Sequence, residues 1–299
     1  MTIFINLFIW LFILPLLIGT VVVFLYALKR INTVPSSNNQ PPALLFHSVS
    51  DKSPFDQSHI TPYTFKLFLS YLNKDNYKTL TAYEMAVLSN DKIDPSESYV
   101  SLIFDDGFEN FHTNVIPLLE QFNFKAAVFP VATSIGSHTS WDIYKPKKHL
   151  SKEQILKISD AGHEIGSHTL SHPDLVLLSE NEIIHELSES KKILEDIIGK
   201  PVTTLSFPFG SWNMRVWNIA LKCGYKAAVA YRKHAKATPP IIPVTGIYAF
   251  DSLEDIIEKL ERKHALSNTH ICSLIMPHFA KGTPVWKFRK NYDIFNFSR

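Results

Sequence analysis

The sequence predicts an α/β protein: a distorted parallel (β/α)7-8 barrel preceded by a transmembrane helix. Three observations carry this expectation. Beyond residue 42, apolar runs of strand length alternate with amphipathic helical stretches. About seven or eight such units in about 240 residues suit a closed barrel better than an open doubly wound sheet. The chemically distinctive residues stand directly after strand ends, the rim on which barrel proteins build their sites. Finally, Ile3 to Leu28 is an almost wholly apolar run without charge, long enough to cross a bilayer core as a helix.

The elements follow in order. Residues 1–28 read as an uncleaved anchor, since a basic n-region and a small-residue cleavage site are both missing. Lys29 and Arg30 after it favour a cytoplasmic domain by the positive-inside rule, whereas the chemistry below points outward. The expectation is a single-pass membrane protein with an extracytoplasmic catalytic domain. Residues 29–42 include the Pro-, Ser- and Asn-rich stretch NTVPSSNNQPP and form a linker. Residues 43–280 form the main domain and 281–299 a tail.

Within the domain, Ala43–His47 reads as a strand. Thr61 caps a helix with Pro62 at its first position, and Phe65, Phe68, Leu69 and Leu72 share one face of it. Tyr99–Phe104 is a buried strand ending at Asp105, Val115–Phe122 part of a helix, and Ala126–Val131 a strand. Ser151 with Gln154, three residues on, marks a capping box. Glu164–Ser167 is a short strand ending at His168. Ser179 to Ile198 is a long helix stopped by Gly199. Thr203–Phe207 is a strand ending at Pro208. Ile241–Val244 and Ile271–Met276 are late strands, with a helix from Leu253 to about His264 between them.

Composition narrows the function. Hydrophobic residues make up 45% and charged residues 19%, which suits a packed core. A formal net charge of +2 gives no electrostatic case for nucleic acid. The two cysteines, Cys223 and Cys272, lack CxxC spacing and exclude a cysteine zinc site.

Four segments carry chemistry. Phe104-Asp105-Asp106-Gly107 runs a buried strand into two adjacent carboxylates. Asp-Gly alone is a common turn pair, but two buried acids repel unless a cation compensates. One can then ligate a metal while the other stays free as a base. His168 and His172 stand at i and i+4, read here as one face of a helical turn. With Asp106 they make a two-His-one-Asp set with open positions, suited to zinc and also to cobalt, nickel or manganese. Phe207-Pro208-Phe209-Gly210, with Trp212 beyond it, is a Pro/Gly turn able to present a backbone N–H to an oxyanion and rings to a sugar. His278, ending a late apolar strand, suits a general acid, and His47, ending the first strand, is a weaker candidate of the same kind. His138, His149, His163, His185, His234, His264 and His270 read as surface residues.

In this order, from Ala43 to about Ala280, these motifs resemble the polysaccharide deacetylase family (carbohydrate esterase family four). FDDG at 104–107 resembles its first motif, the pair His168/His172 its second, Leu205–Asn213 its third and Leu274–His278 its fifth. The aromatic-Pro-aromatic-Gly form of 207–210 and the opening Leu45-Phe46-His47-Ser48 are most similar to the branch that de-N-acetylates poly-β-1,6-N-acetylglucosamine. The resemblance implies that Asp106, His168 and His172 bind a divalent metal, most readily Zn2+, and that Asp105 is the general base. It also implies that a backbone N–H near Phe209 holds the oxyanion and that His278 protonates the leaving amine. An acetylated amino-sugar polymer would be the substrate and acetate a product.

Two positions depart from the family pattern. Ser206 stands where an Arg often orients the base, and Pro277 replaces a Leu before His278. These departures keep two alternatives open: a catalytically weakened, membrane-tethered glycan-binding protein, and an O-acetyl esterase or amidase on the same fold.

Overall fold

The computed structural model of the chain describes residues 41–51, 57–87, 96–139, 146–231 and 240–262, with Gly19 and Asp94. By internal contacts the chain divides into Met1–Asn39 and Gln40–Arg299, and every element below belongs to the second unit. Apart from Gly19, Pro41 and Pro42, the predicted anchor and linker fall outside the described residues, as do the tail, the strand at 271–276 and His278. No helix among the described residues is long and apolar enough to cross a membrane.

The strands are β1 (Ala43–Phe46), β2 (Ser48–Val49), β3 (His59–Ile60), β4 (Lys78–Leu80), β5 (Tyr99–Asp106), β6 (Ala127–Pro130), β7 (Glu164–Ile165), β8 (Thr204–Ser206), β9 (Ala227–Ala230), β10 (Ile241–Pro243) and β11 (Thr245–Gly246). The helices are α1 (Pro62–Lys74), α2 (Ala82–Val87), α3 (Ile116–Gln121), α4 (Lys152–Asp160), α5 (Glu180–Ile198), α6 (Met214–Lys222) and α7 (Leu253–Leu260).

Strand pairing among the described residues is parallel, in the order β11-β1-β5-β6-β7 in one sheet, with β4 also beside β5, in the order β10-β9-β8 in another, and between β2 and β3. A single parallel bridge, Ser167 with Leu205, joins the β7 side to β8. At the other end β10 runs into β11 through Val244, whose N–H donates to the Ala230 carbonyl. The circuit therefore closes, as the alternation of strands and helices predicts. The barrel is distorted because one seam is a bridge instead of a ladder.

Alternation sorts the side chains. Ala43, Leu45, Ile103, Ala127, Phe129, Val229, Ile242 and Val244 fill the barrel, with Ala82 and Met85 of α2 packed against them. Their neighbours Leu44, Phe46, Leu102, Phe104, Val128 and Ala228 belong to a second core that includes Phe65, Phe68 and Leu69 of α1 and Ile183 and Leu187 of α5. Gly166 is required by packing: a Cβ there would stand 2.2 Å from the Phe129 ring and 2.7 Å from Thr204 Oγ1.

Caps fall where the sequence places them. Thr61 Oγ1 accepts the Thr64 N–H at 3.1 Å, and Ser151 and Ser179 both close full capping boxes. Seven elements lie beyond the sequence reading: the helices α2 and α6 and the strands β2, β3, β4, β9 and β11.

Candidate active site

The site is built at the C-terminal ends of β5 and β8 and on the loop after β7. Strand alternation aims Asp105 inward above Ile103. A fully extended backbone would send Asp106 outward beside Phe104. Instead Asp106 takes a left-handed φ of 69°, and its Oδ1 lies 3.6 Å from His168 Nε2 and 3.7 Å from His172 Nε2.

The two histidines do not share a helical turn. Residues 166–173 have no helical structure, and Thr169 and His172 have φ of 68° and 65°. The rings converge because the loop folds back on itself, which brings their centroids to 4.8 Å. With Phe209, at φ 59°, four non-glycine residues around this point hold left-handed backbones. Such conformations cost on the order of 1–3 kcal/mol each and gather at functional sites.

Asp106, His168 and His172 are all buried, and their ligand atoms lie within 4.8 Å of one another. Two atoms each about 2.1 Å from one ion at a tetrahedral angle stand about 3.4 Å apart, close to the spacing between Asp106 and each imidazole. His168 Nδ1 meets the Ser206 carbonyl at 2.9 Å. A carbonyl only accepts, so Nδ1 carries the proton and Nε2 presents its lone pair to Asp106. Burial pushes the pKa of His168 down, against the pull of Asp106. His172 is driven well below its ordinary value by burial and then by the neighbouring His168 and His47. Neutral imidazoles are the form a metal requires, so the donor set fits a divalent cation.

Asp105 is buried, and its Oδ2 accepts the Ser206 hydroxyl at 2.9 Å. Its Oδ1 is buried with no hydrogen-bond partner among the described residues. Burial raises its pKa to about 7, opposed by the Ser206 bond. A second carboxylate beside the three-residue set, with one oxygen held and one open, has the form of a base for an incoming water.

The remaining predicted residues separate. Phe209 sits edge-on to His172, with centroids 4.7 Å apart. His47 is half-buried at the end of β1 and near enough to His172 to disfavour its charge. Pro208 is buried. Trp212, expected to stack on a sugar, is 6% exposed and lies parallel to Phe207 at 5.8 Å; it packs the core. The turn is pinned at Gly210, where a Cβ would stand 2.3 Å from the Tyr231 ring.

Three nearby residues escape the sequence reading. Ser206 reads there only as a missing Arg. His149 is 1% exposed, not superficial, and its Nδ1 meets the Asp106 carbonyl at 2.9 Å while Nε2 faces Thr139 Oγ1 at 3.2 Å. Burial lowers its pKa to about 4, so Nδ1–H is the donor. Tyr231 continues the inward face of β9 beyond Val229, and its hydroxyl accepts that of Tyr248 at 3.3 Å. The parity of β9 would have found Tyr231 had the strand itself been legible.

Two imidazoles and two carboxylates at the C-terminal rim of a parallel barrel form an arrangement able to support metal-assisted hydrolysis. The sequence model of the polysaccharide deacetylase family matches residues 92–228. The chain is similar to YxkH of Bacillus subtilis, whose name places it among the polysaccharide deacetylases, with 29% identity over 188 residues, 63% of each chain. It is 30% identical over 131 residues to chitin deacetylase 1 of Cryptococcus neoformans, which is 44% of this chain and 25% of that one. The matches thus span under two thirds of these relatives' length. In fold it is similar to the Streptococcus pyogenes deacetylase PplD solved with acetate (TM-score 0.65, 21% identity, 74% of this chain and 97% of that one). Over these residues the chain is similar to polysaccharide deacetylases.

Proposed function

We propose that this chain is a metal-dependent hydrolase that removes N-acetyl groups from a GlcNAc-containing polysaccharide and releases acetate. One observation carries the reading: a buried Asp-His-His set stands beside a second buried carboxylate with one open oxygen. The family match and the resemblance to a chitin deacetylase support the substrate class. The form of residues 207–210 and 45–48 supports the poly-β-1,6-N-acetylglucosamine branch.

Asp106, His168 and His172 would hold the ion. Zn2+ suits this donor set best, and an ion there supplies Lewis-acid polarisation of a water and of the acetamide carbonyl. Asp105 takes the proton of the attacking water through Oδ1 while Ser206 fixes Oδ2. A backbone N–H near Phe209 would hold the developing oxyanion. His278, outside the described residues, returns a proton to the leaving amine by its place in the sequence. The Ser206 bond to Asp105 also weakens the case for a relict glycan-binding protein, because the position of the missing Arg still carries a group that orients the base.

Asp105→Asn keeps the metal ligands and removes the base. Acetate release from acetylated glucosamine oligomers, with Zn2+ or Co2+ supplied, should fall at least a hundredfold, while metal binding by titration stays at the parental level. Full turnover by the variant would sink the mechanism.

A further inference from the structure

The loop that carries both histidines has no helical structure, yet from Thr169 to His172 every backbone N–H is engaged by a side chain. The Thr169 N–H donates to Ser167 Oγ at 3.2 Å, the Leu170 and Ser171 N–H groups each donate to Glu186 Oε2 at 2.9 Å, and the His172 N–H donates to Thr169 Oγ1 at 3.1 Å. The Ser171 hydroxyl adds a third bond to Glu186, to Oε1 at 2.6 Å. One turn along the same face of α5, Ser190 accepts the Ser167 hydroxyl at 2.9 Å and donates to the Leu187 carbonyl at 3.1 Å.

Helix α5 thus grips the loop at two points one helical turn apart, and Thr169 lies between them. Glu186 is 8% exposed, and all three of its partners are donors from the loop. A carboxylate accepting several N–H and O–H groups binds each more strongly than a neutral acceptor would. These bonds offset the left-handed backbones at Thr169 and His172, which a loop without them would relax.

We propose that Glu186 is a positioning residue for the metal centre: by clamping Leu170 and Ser171 it sets the distance at which His168 and His172 face Asp106. The inference rests on reading that trio as the metal site. It predicts an effect on the ion by a residue that never touches it, as outer partners of metal ligands exert.

Glu186→Gln in the full chain preserves volume but turns an amide donor toward donors. Titration with Co2+, followed by its visible absorption, should show affinity about ten- to a hundredfold weaker and an altered spectrum. Circular dichroism should remain parental, and amide exchange at Leu170 and Ser171 should accelerate. A folded variant with parental affinity and spectrum overturns the proposal. Should Glu186→Gln fail to fold, Ser171→Ala, which removes the shortest of the three bonds, decides by the same titration: weaker Co2+ binding supports the clamp and parental binding overturns it. If the parent protein itself binds no Co2+ or Zn2+, the metal reading fails first, and that failure is visible without any variant.

Discussion

Ser206 shows how much one small side chain can organise. Its carbonyl receives Nδ1–H of His168, and its hydroxyl holds Oδ2 of Asp105. One residue therefore fixes the tautomer of His168, a candidate metal ligand, through its backbone and the rotamer of Asp105, the proposed base, through its side chain. The two roles separate in Ser206→Ala, which deletes only the hydroxyl. A hydrogen bond to a charged group contributes about 1.5–3 kcal/mol, so kcat for acetate release should fall about ten- to a hundredfold, with Co2+ affinity unchanged. Equal loss of metal affinity would mean that the hydroxyl acts on the loop and not on Asp105. The grouping of Asp106, His168 and His172 was legible in the sequence because adjacent acids after a buried strand and a spaced histidine pair are rare enough to notice together. Ser206 was not, because its meaning lies in the placement of β8 beside the loop after β7 and across the barrel mouth from β5, a non-local fact that no spacing encodes.

At the scale of elements, what could be read depended on length and on caps. The capping boxes at Ser151 and Ser179 state their helices outright. By contrast β9 is Ala-Ala-Val-Ala, a composition poor in strand formers, and it is a strand because ladders to β8 and β10 hold it from both sides. The six residues of α2 are too few for a helical period to emerge. The i,i+4 histidine pair misled differently: its spacing fits a helix, but left-handed residues close the loop instead. His163 looked superficial and is 6% exposed. Its Nδ1 accepts the Ala126 N–H at 3.2 Å, tying the entry to β6 to the residue before β7. That acceptor exists only in the neutral ring. Burial, then the charge of Lys125, lowers its pKa from 6.5 to about 4. Between these values the unfolded chain binds the proton and the folded one does not, so the contribution to stability is complete above pH 6.5 and is lost as pH falls toward 4. The loss amounts to about 3 kcal/mol. In urea unfolding at pH 7 and pH 4, His163→Gln, which keeps an acceptor without a titrating ring, should lose less stability on acidification than the parent by about that amount. The raised carboxylates Glu164 and Asp251 act in the opposite direction and are common to both proteins, so the difference isolates His163. Identical acid sensitivity would refute this.

For the whole molecule, the barrel closes least securely where β7 meets β8. Among the described residues every other neighbouring pair shares a ladder of at least two register positions, but this seam has the single Ser167–Leu205 bridge. The candidate site occupies that seam: His168 follows Ser167, Ser206 follows Leu205, and their 2.9 Å bond continues the closure into the rim. An ion held by Asp106, His168 and His172 would tie the end of β5 to this loop and exist only in the folded state, so its binding free energy adds to stability. With free ion a thousandfold above Kd the gain is about 4 kcal/mol, and at about 2–4 °C per kcal/mol for a domain of this size the Tm should drop by about 8–16 °C on chelation. Asp106→Asn should melt near the chelated parent and show no further shift with chelator or with added Zn2+. Calorimetry with and without chelator checks both statements. A Tm in the parent that ignores chelator, under conditions where titration shows the ion bound, would mean that the ion contributes nothing to closing the barrel and that the bridge and its rim hydrogen bonds hold the seam alone.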